Sequence, residues 1–174
     1  MLAELWDWIK TIVIAFIIVF LVQMFLFSFA IVSGKSMEPT LLNKEWLFSN
    51  KIVYHISSPK VNDIVVLKNP NIADEPDDKY FVKRVVGVAG DHIEILNGQL
   101  IRNDEIVDEP YTDSEIEGMQ DINIVVPEGM YYVMGDNRKL MMSNDSRSFG
   151  PIQDDSIVGR IDGIIFPFNK FKWF

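Results

Sequence analysis

A chain of 174 residues has room for one domain with a tail or anchor added. Its net charge of −9 argues against a nucleic-acid partner, because phosphate binding calls for a basic stripe. The absence of Cys excludes disulfides, thiolate metal sites and cysteine proteases.

Hydrophobic residues make up 48% of the chain, and the excess is gathered at the front. No charged residue occurs from Thr11 to Gly34. Such a run exceeds the roughly 20 apolar residues that cross a bilayer at ~1.5 Å per residue. It predicts one transmembrane helix over residues 11–32, after a short segment 1–10 and before a domain over 33–174. A cleaved secretory signal is the alternative, and Ser28-Phe29-Ala30 has the small-x-small form of a cleavage site. Against it, the apolar core is long and the start "MLAELWDWIK" is not basic. A buried soluble helix fits less well, because no polar face interrupts the run. Trp6 and Trp8 stand where an interfacial aromatic belt would be. Lys10 alone precedes the run, whereas Lys35, Lys44 and Lys51 soon follow it. By the positive-inside rule this balance places the C-terminal domain inside the cell.

After Leu42 the chain reads as strands. Residues 62–69, 79–91, 92–104, 122–137 and 157–166 are rich in β-branched and aromatic side chains, punctuated by Gly, Pro, Asn and Asp. Asn97-Gly98 is a two-residue hairpin signal. Residues 69–79 and 108–121 read as acidic loops. No long segment of 3.6-residue period follows the anchor. The expected class is an all-β domain of curled, barrel-like sheets behind one N-terminal transmembrane α-helix.

Catalytic options are few. His55 and His92 are the only histidines, and neither lies in a Gly-rich turn of special geometry. No HExxH occurs, and no metal site or cofactor is expected. A serine nucleophile needs a base, and a lysine serves if burial keeps it neutral. Lys83 lies in the apolar strand "YFVKRVVGV". Alternation puts Phe81, Lys83 and Val85 on one face and Val82, Arg84 and Val86 on the other. One basic side chain therefore points inward, unless the strand is an edge from which both reach solvent. The polar segment "MGDNRKLMMSNDSRSFGPI" is open to two readings. It is a solvated turn bonding to its own backbone, or a set of hydroxyls and an Asp–Arg pair that hold a catalytic group.

Four segments in order, "SGKSMEPTL", "NDIVVLK", "VKRVVGVAGD" and "GDNRKLMMSNDSRSFG", resemble the boxes of bacterial type I signal peptidases (leader peptidases). The match is to the single-anchor Gram-positive form of this serine–lysine dyad family. The hairpin "NGQL", the later "DEPY" and the closing "IVGRI" and "PF" are similar too, so the resemblance spans nearly the whole chain. It implies a membrane-anchored serine endopeptidase that removes signal peptides from exported preproteins. Ser36 would be the nucleophile and Lys83, 47 residues later, the general base. Val32, Met37, Leu41, Phe81 and Val82 would line pockets for small side chains. The Ser36 N–H would be an oxyanion donor. Some relatives place a serine hydroxyl two residues before the nucleophile, where this chain has Gly34, and Ser33 is the neighbouring candidate. Ser143 would be a hydroxyl beside the lysine, and Asp145 and Arg147 an ion pair. The implied partners are signal peptides of secreted preproteins, the lipid bilayer and the export translocon, with no nucleic acid. The implied location is the cell membrane, single-pass, with the catalytic domain extracytoplasmic, opposite to the lysine count. Two related readings stand beside this one: a specialised factor for pilin processing or pilus assembly, and a self-cleaving Ser-Lys regulatory protease.

Overall fold

The computed structural model describes residues 2–69, 80–118 and 121–174. Helix α1 (Leu2–Phe25) leads directly into strand β1 (Phe27–Ile31). Next come β2 (Trp46–Asn50), the single turn α2 (Val53–Ile56), β3 (Ile64–Lys68) and β4 (Tyr80–Gly87). A second run follows: β5 (His92–Leu96), β6 (Gln99–Arg102), β7 (Glu105–Ile106) and β8 (Ile122–Val125). The chain closes with β9 (Met130–Met134), the turn α3 (Ser146–Phe149), β10 (Ile152–Gln153), β11 (Ile157–Phe166) and β12 (Lys172–Trp173).

The expected all-β domain is present as two antiparallel sheets. The larger has the order β1-β2-β11-β3-β4-β9-β10, with β12 added to β11; the smaller has the order β7-β6-β5-β8. Register shifts interrupt the ladders of β11 with β2 and β3, and of β4 with β9. Such irregularities bend a sheet, and here the larger sheet curls until β1 and the first half of β4 wall one cleft.

The helix expected over 11–32 has other bounds. The helix stops at Phe25, and Phe27–Ile31 pairs residue for residue with Trp46–Asn50 as a strand. The β-branched and aromatic end of the apolar run finds a ladder there, which a spanning helix would forgo. Glu4, Asp7 and Lys10 occupy the start of α1. Among the described residues no helix is long and apolar enough to cross a membrane. The strand-rich segment 122–137 holds two strands in different sheets, parted by a turn at residues 126–129. Asn97 and Gly98 both have positive φ, as a two-residue hairpin of this type demands. Most of the acidic loop expected over 69–79 lies outside the described residues.

Three apolar clusters fill the domain. Ile64 and Val66 of β3 join Met37, Leu41, Leu47, Ile161 and Ile164. Val65 and Leu67 face the opposite side with Val85, Tyr131 and Val133. A third cluster packs the smaller sheet, through Ile93, Ile95 and Leu100, on Val86, Tyr132 and Met134. Strand β4 is therefore buried on both faces. Both basic side chains are buried, Lys83 and Arg84 being only 3% and 7% exposed. Strand β4 pairs with β3 from Tyr80 to Arg84 and with β9 from Arg84 onward, so Lys83 does not reach solvent although it lies where the β9 pairing has not begun.

Arg84 is reconciled with burial by a matched partner. Its Nε and Nη2 donate to the two carboxylate oxygens of Asp136 at 2.9 and 2.6 Å, and Nη1 donates to the Asn62 carbonyl at 3.0 Å. The guanidinium also lies 3.9 Å from the centre of the Tyr111 ring. Arg84→Ala leaves the Asp136 carboxylate buried and unpaired, and is expected to lower stability by about 3–5 kcal/mol. A shift of that size in the denaturant midpoint checks this, and an unchanged midpoint overturns it.

Candidate active site

Residues 32–45 form a loop between β1 and β2 that returns on itself. The Val32 N–H donates to the Glu45 carbonyl and the Lys44 N–H to the Val32 carbonyl, both at 2.9 Å. Glu45, itself buried, accepts the Leu42 N–H at 2.8 Å through its carboxylate. Asn43 Oδ1 accepts the Gly34 N–H at 3.3 Å. Gly34 has φ +97°, a left-handed conformation that side chains resist, which accounts for glycine just before the serine. Met37 and Leu41 point into the core and hold the tip of the loop down.

That loop lays Ser36 over β4. Lys83 Nζ lies 2.7 Å from Ser36 Oγ, so the structure brings together two residues 47 positions apart. The lysine reaches this point from the buried face it shares with Phe81, whose ring centre is 5.2 Å from Nζ. Burial disfavours the ammonium and pushes the Lys83 pKa down from 10.5 to about 8. The Asp145 charge opposes that shift, and the Arg147 charge adds to it.

Asp145 organises the polar cluster, and the solvated-turn reading does not hold for it. It is fully buried and takes both Nε and Nη2 of Arg147 at 2.8 Å. It also accepts the Gly135 N–H at 2.9 Å and the Ser143 hydroxyl at 2.6 Å. Burial alone would raise this carboxyl, but the Arg147 fork and charge, with the Gly135 and Ser143 donors, outweigh it and hold the pKa below the usual value. Ser143 was expected to orient the lysine. Its hydroxyl instead gives its hydrogen bond to Asp145, and among the described residues it makes none to Lys83.

Three further residues complete the site, all from the strand end "GDN", to which the two readings of the polar segment assign no individual role. A Cβ on Gly135 would collide with the Ser36 carbonyl oxygen and with Ser143 Oγ, so glycine is required by close approach. Asp136 anchors this strand end to Arg84. Asn137 donates its backbone N–H to the Ser36 carbonyl at 3.0 Å and its side-chain Nδ2 to the Lys35 carbonyl at 3.0 Å. Among the described residues the Ser36 N–H itself donates to no protein acceptor.

A cleft of about 360 Å³ opens at Ser36 and Lys83. Its walls include Val32, Met37, Leu41, Phe81 and Val82, with Ser33, Gly34 and β1 residues Phe29 to Ile31. The outer edge of β1 pairs with no described strand, and Phe81 to Lys83 pair with β3 and with no other described strand. Two open strand edges thus face the cleft. His55 is exposed on α2, and His92 lies in β5 of the smaller sheet, bonded to Asn123; neither lines the cleft. Chemically, the arrangement offers a hydroxyl, a base able to be neutral near pH 8, a free N–H beside the hydroxyl and a trough for an extended chain.

A protein-family model described as "Signal peptidase, peptidase S26" matches residues 5–166. Signal peptidase I P of Bacillus subtilis subsp. natto is 42% identical over 176 residues, covering 95% of this chain and 91% of that protein. Signal peptidase IB of Staphylococcus aureus (strain MRSA252) is 36% identical over 187 residues, covering 98% and 94%. Among solved structures, a signal peptidase I from Enterococcus faecalis V583 is 28% identical with a TM-score of 0.49, over 60% of this chain and 97% of that one.

The buried lysine also predicts a stability effect. Below about pH 8 both folded and unfolded chains hold the Lys83 proton, and the folded state bears the full cost of a buried charge. Between about 8 and 10.5 only the unfolded chain holds it, and the cost falls away as pH rises. The difference is on the order of 3 kcal/mol. Lys83→Met is expected to melt higher than the parent at neutral pH, with the gap closing as pH rises toward 10.5. Thermal melts of both proteins across that range test it; a gap independent of pH would contradict the burial cost.

Proposed function

This chain belongs to the signal peptidase family, peptidase S26, and from its site we propose that it is a serine endopeptidase that removes signal peptides from exported preproteins. The observation that carries the proposal is the 2.7 Å contact between Ser36 Oγ and the buried Lys83 amine. A lysine within hydrogen-bond reach, with a pKa near 8, has both the geometry and the basicity of a general base.

The substrate enters the cleft extended and adds as a strand between the open edges of β1 and β4, where backbone hydrogen bonds hold it. Val32, Met37, Leu41, Phe81 and Val82 leave room for small side chains before the scissile bond. Neutral Lys83 takes the Ser36 proton as Oγ attacks the carbonyl carbon. The oxygen that becomes negative is held by the Ser36 N–H. Lys83 then hands the proton to the departing amine, and the signal peptide remains as an ester on Ser36. In the second half Lys83 draws a proton from water, the hydroxide attacks the ester, and the proton returns to Ser36 Oγ. Gly34 presents only its backbone here, and Ser33 stands at the rim as a candidate second donor.

The bilayer is the second partner. From Thr11 to Leu21 the side chains of α1 are apolar but for Thr11 itself, and all are exposed. A helix apolar on every side needs an apolar surrounding. Exposed aromatic residues continue beyond it: Phe29 of β1, Trp46 of β2, Phe166 of β11, Phe168 and Trp173. Trp46 and Phe166 meet edge to face with centres 6.0 Å apart, and Phe166 meets Phe168 at 5.5 Å. We read α1 as the anchor and this aromatic rim as resting at the lipid surface, with the catalytic domain extracytoplasmic and preproteins delivered from the translocon.

Purified in detergent, the chain is expected to cleave a preprotein after its small-x-small site, giving one new N-terminus. Ser36→Ala and Lys83→Ala should each lose several orders of magnitude in rate while melting cooperatively. Substantial cleavage by either variant would remove the dyad. The parent rate should climb as pH rises through about 8 and then level, because only the neutral amine accepts a proton. A rate flat from mildly acidic to alkaline pH would assign the base elsewhere.

A further inference from the structure

We infer that Asn137 is a positioning residue for the oxyanion donor, and that it acts by gripping the peptide plane between Lys35 and Ser36. This rests on the function proposed above. The Lys35 carbonyl and the Ser36 N–H are opposite ends of one planar peptide group, so whatever fixes the carbonyl aims the N–H. The carbonyl is held twice: the Glu38 N–H donates to it at 3.1 Å within the turn, and Asn137 Nδ2 donates at 3.0 Å from across the site. A loop's own turn can tilt as a body. Only the bond from Asn137 ties this plane to the rigid sheet that also carries Lys83.

Four features favour a dedicated clamp over an incidental contact. Asn137 is 7% exposed, so its amide has no free access to water as an alternative partner. Its amide orientation is set at both ends, since Oδ1 accepts the Lys139 N–H at 3.3 Å while Nδ2 donates to Lys35. Its backbone N–H grips the next carbonyl, that of Ser36, at 3.0 Å, so one residue holds both peptide planes that flank the nucleophile. Its base is firm, because the preceding Asp136 is fully buried and doubly bonded to Arg84 on β4. A donor to the carbonyl also polarises the peptide and makes the opposite N–H a better donor. Asn137 is not among the residues that line the cleft, and its side chain reaches the Ser36 N–H through the Lys35–Ser36 peptide group.

Two substitutions separate this from general support. Asn137→Ala removes both side-chain bonds. Asn137→Asp keeps the shape and the acceptor for Lys139 but turns a carboxylate oxygen toward the Lys35 carbonyl. On a synthetic signal-peptide substrate, both should lower kcat per folded molecule about 10- to 100-fold, the scale of loss that follows small misplacement of a reacting group. KM should stay within about twofold. A peptide aldehyde, whose adduct with Ser36 carries the oxyanion, should lose affinity by the same factor as kcat. For Asn137→Ala the pH midpoint of the rate should stay at the parent value, because Lys83 is untouched. The Ser36 amide resonance should move in both variants, and this is read whether or not cleavage occurs. An unchanged kcat, a loss carried in KM, a displaced pH midpoint, unaltered aldehyde affinity or an unmoved Ser36 amide each overturns the inference. If the parent chain itself fails to cleave, the proposed function falls, and the amide resonance still decides the peptide clamp.

Discussion

Keeping water from an amine is the chief means by which this fold lowers its basicity, and the site is built around that constraint. Lys83 sits in a strand buried on both faces, with apolar side chains along its own side and the Ser36 hydroxyl at its tip. Burying an ammonium is costly, and the fold bears that cost at Lys83, the proposed base. Arg84, one residue on, meets the same burial in the opposite way. It stays charged and is matched by Asp136 and the face of Tyr111. Adjacent positions on one strand thus divide the two remedies for a buried base, loss of the proton and a paired charge.

The rest of the site follows from holding the serine against that lysine. The proposed nucleophile lies in a loop, and loops are poor places for precision unless tied to a sheet. Here the tie is the end of β9. Gly135 lets it come close, Asp136 pins it to β4, and Asn137 takes hold of the loop's carbonyls. Asp145 lies behind, fully buried, binding Gly135 from the other side and drawing Ser143 and Arg147 to itself. The cluster therefore supports the strand end that supports the serine, and its reach to Lys83 is through charge alone.

Much of this architecture can be read from the chain without coordinates. The strand from Ile157 to Phe166 and the Asn97-Gly98 hairpin declare themselves by composition and turn chemistry. Pairing Ser36 with Lys83 came from resemblance, because no local pattern says that residues so far apart will meet. The alternation in "YFVKRVVGV" posed the right question about inward lysine but left an edge strand open, since burial on the second face depends on β9 and β3. Strand β1 was hidden inside an apolar run whose composition suits helix and strand alike; its partner, Trp46–Asn50, decides the matter. Asn137 was invisible for another reason: an Asn after Gly-Asp reads as a turn residue, and its bonds go to main-chain atoms whose positions no side-chain pattern encodes.

One joint carries a consequence of scale. Only Leu26 stands between the end of α1 and the start of β1, and its carbonyl accepts the Lys51 N–H at 2.9 Å, which ties the joint to the chain just after β2. On the proposed reading of α1 as the anchor, the wall of the cleft would rise from the bilayer as a short stiff post of five residues, about 17 Å tall at the usual strand rise. The serine would then work as the mark on a ruler whose zero is the membrane surface. On that reading a client would be measured as well as recognised: its own apolar segment would set where it leaves the lipid, and only a bond at the height of the mark would be within reach. Lengthening or shortening that segment by a turn would move the bond past the blade, whatever small side chains flank it.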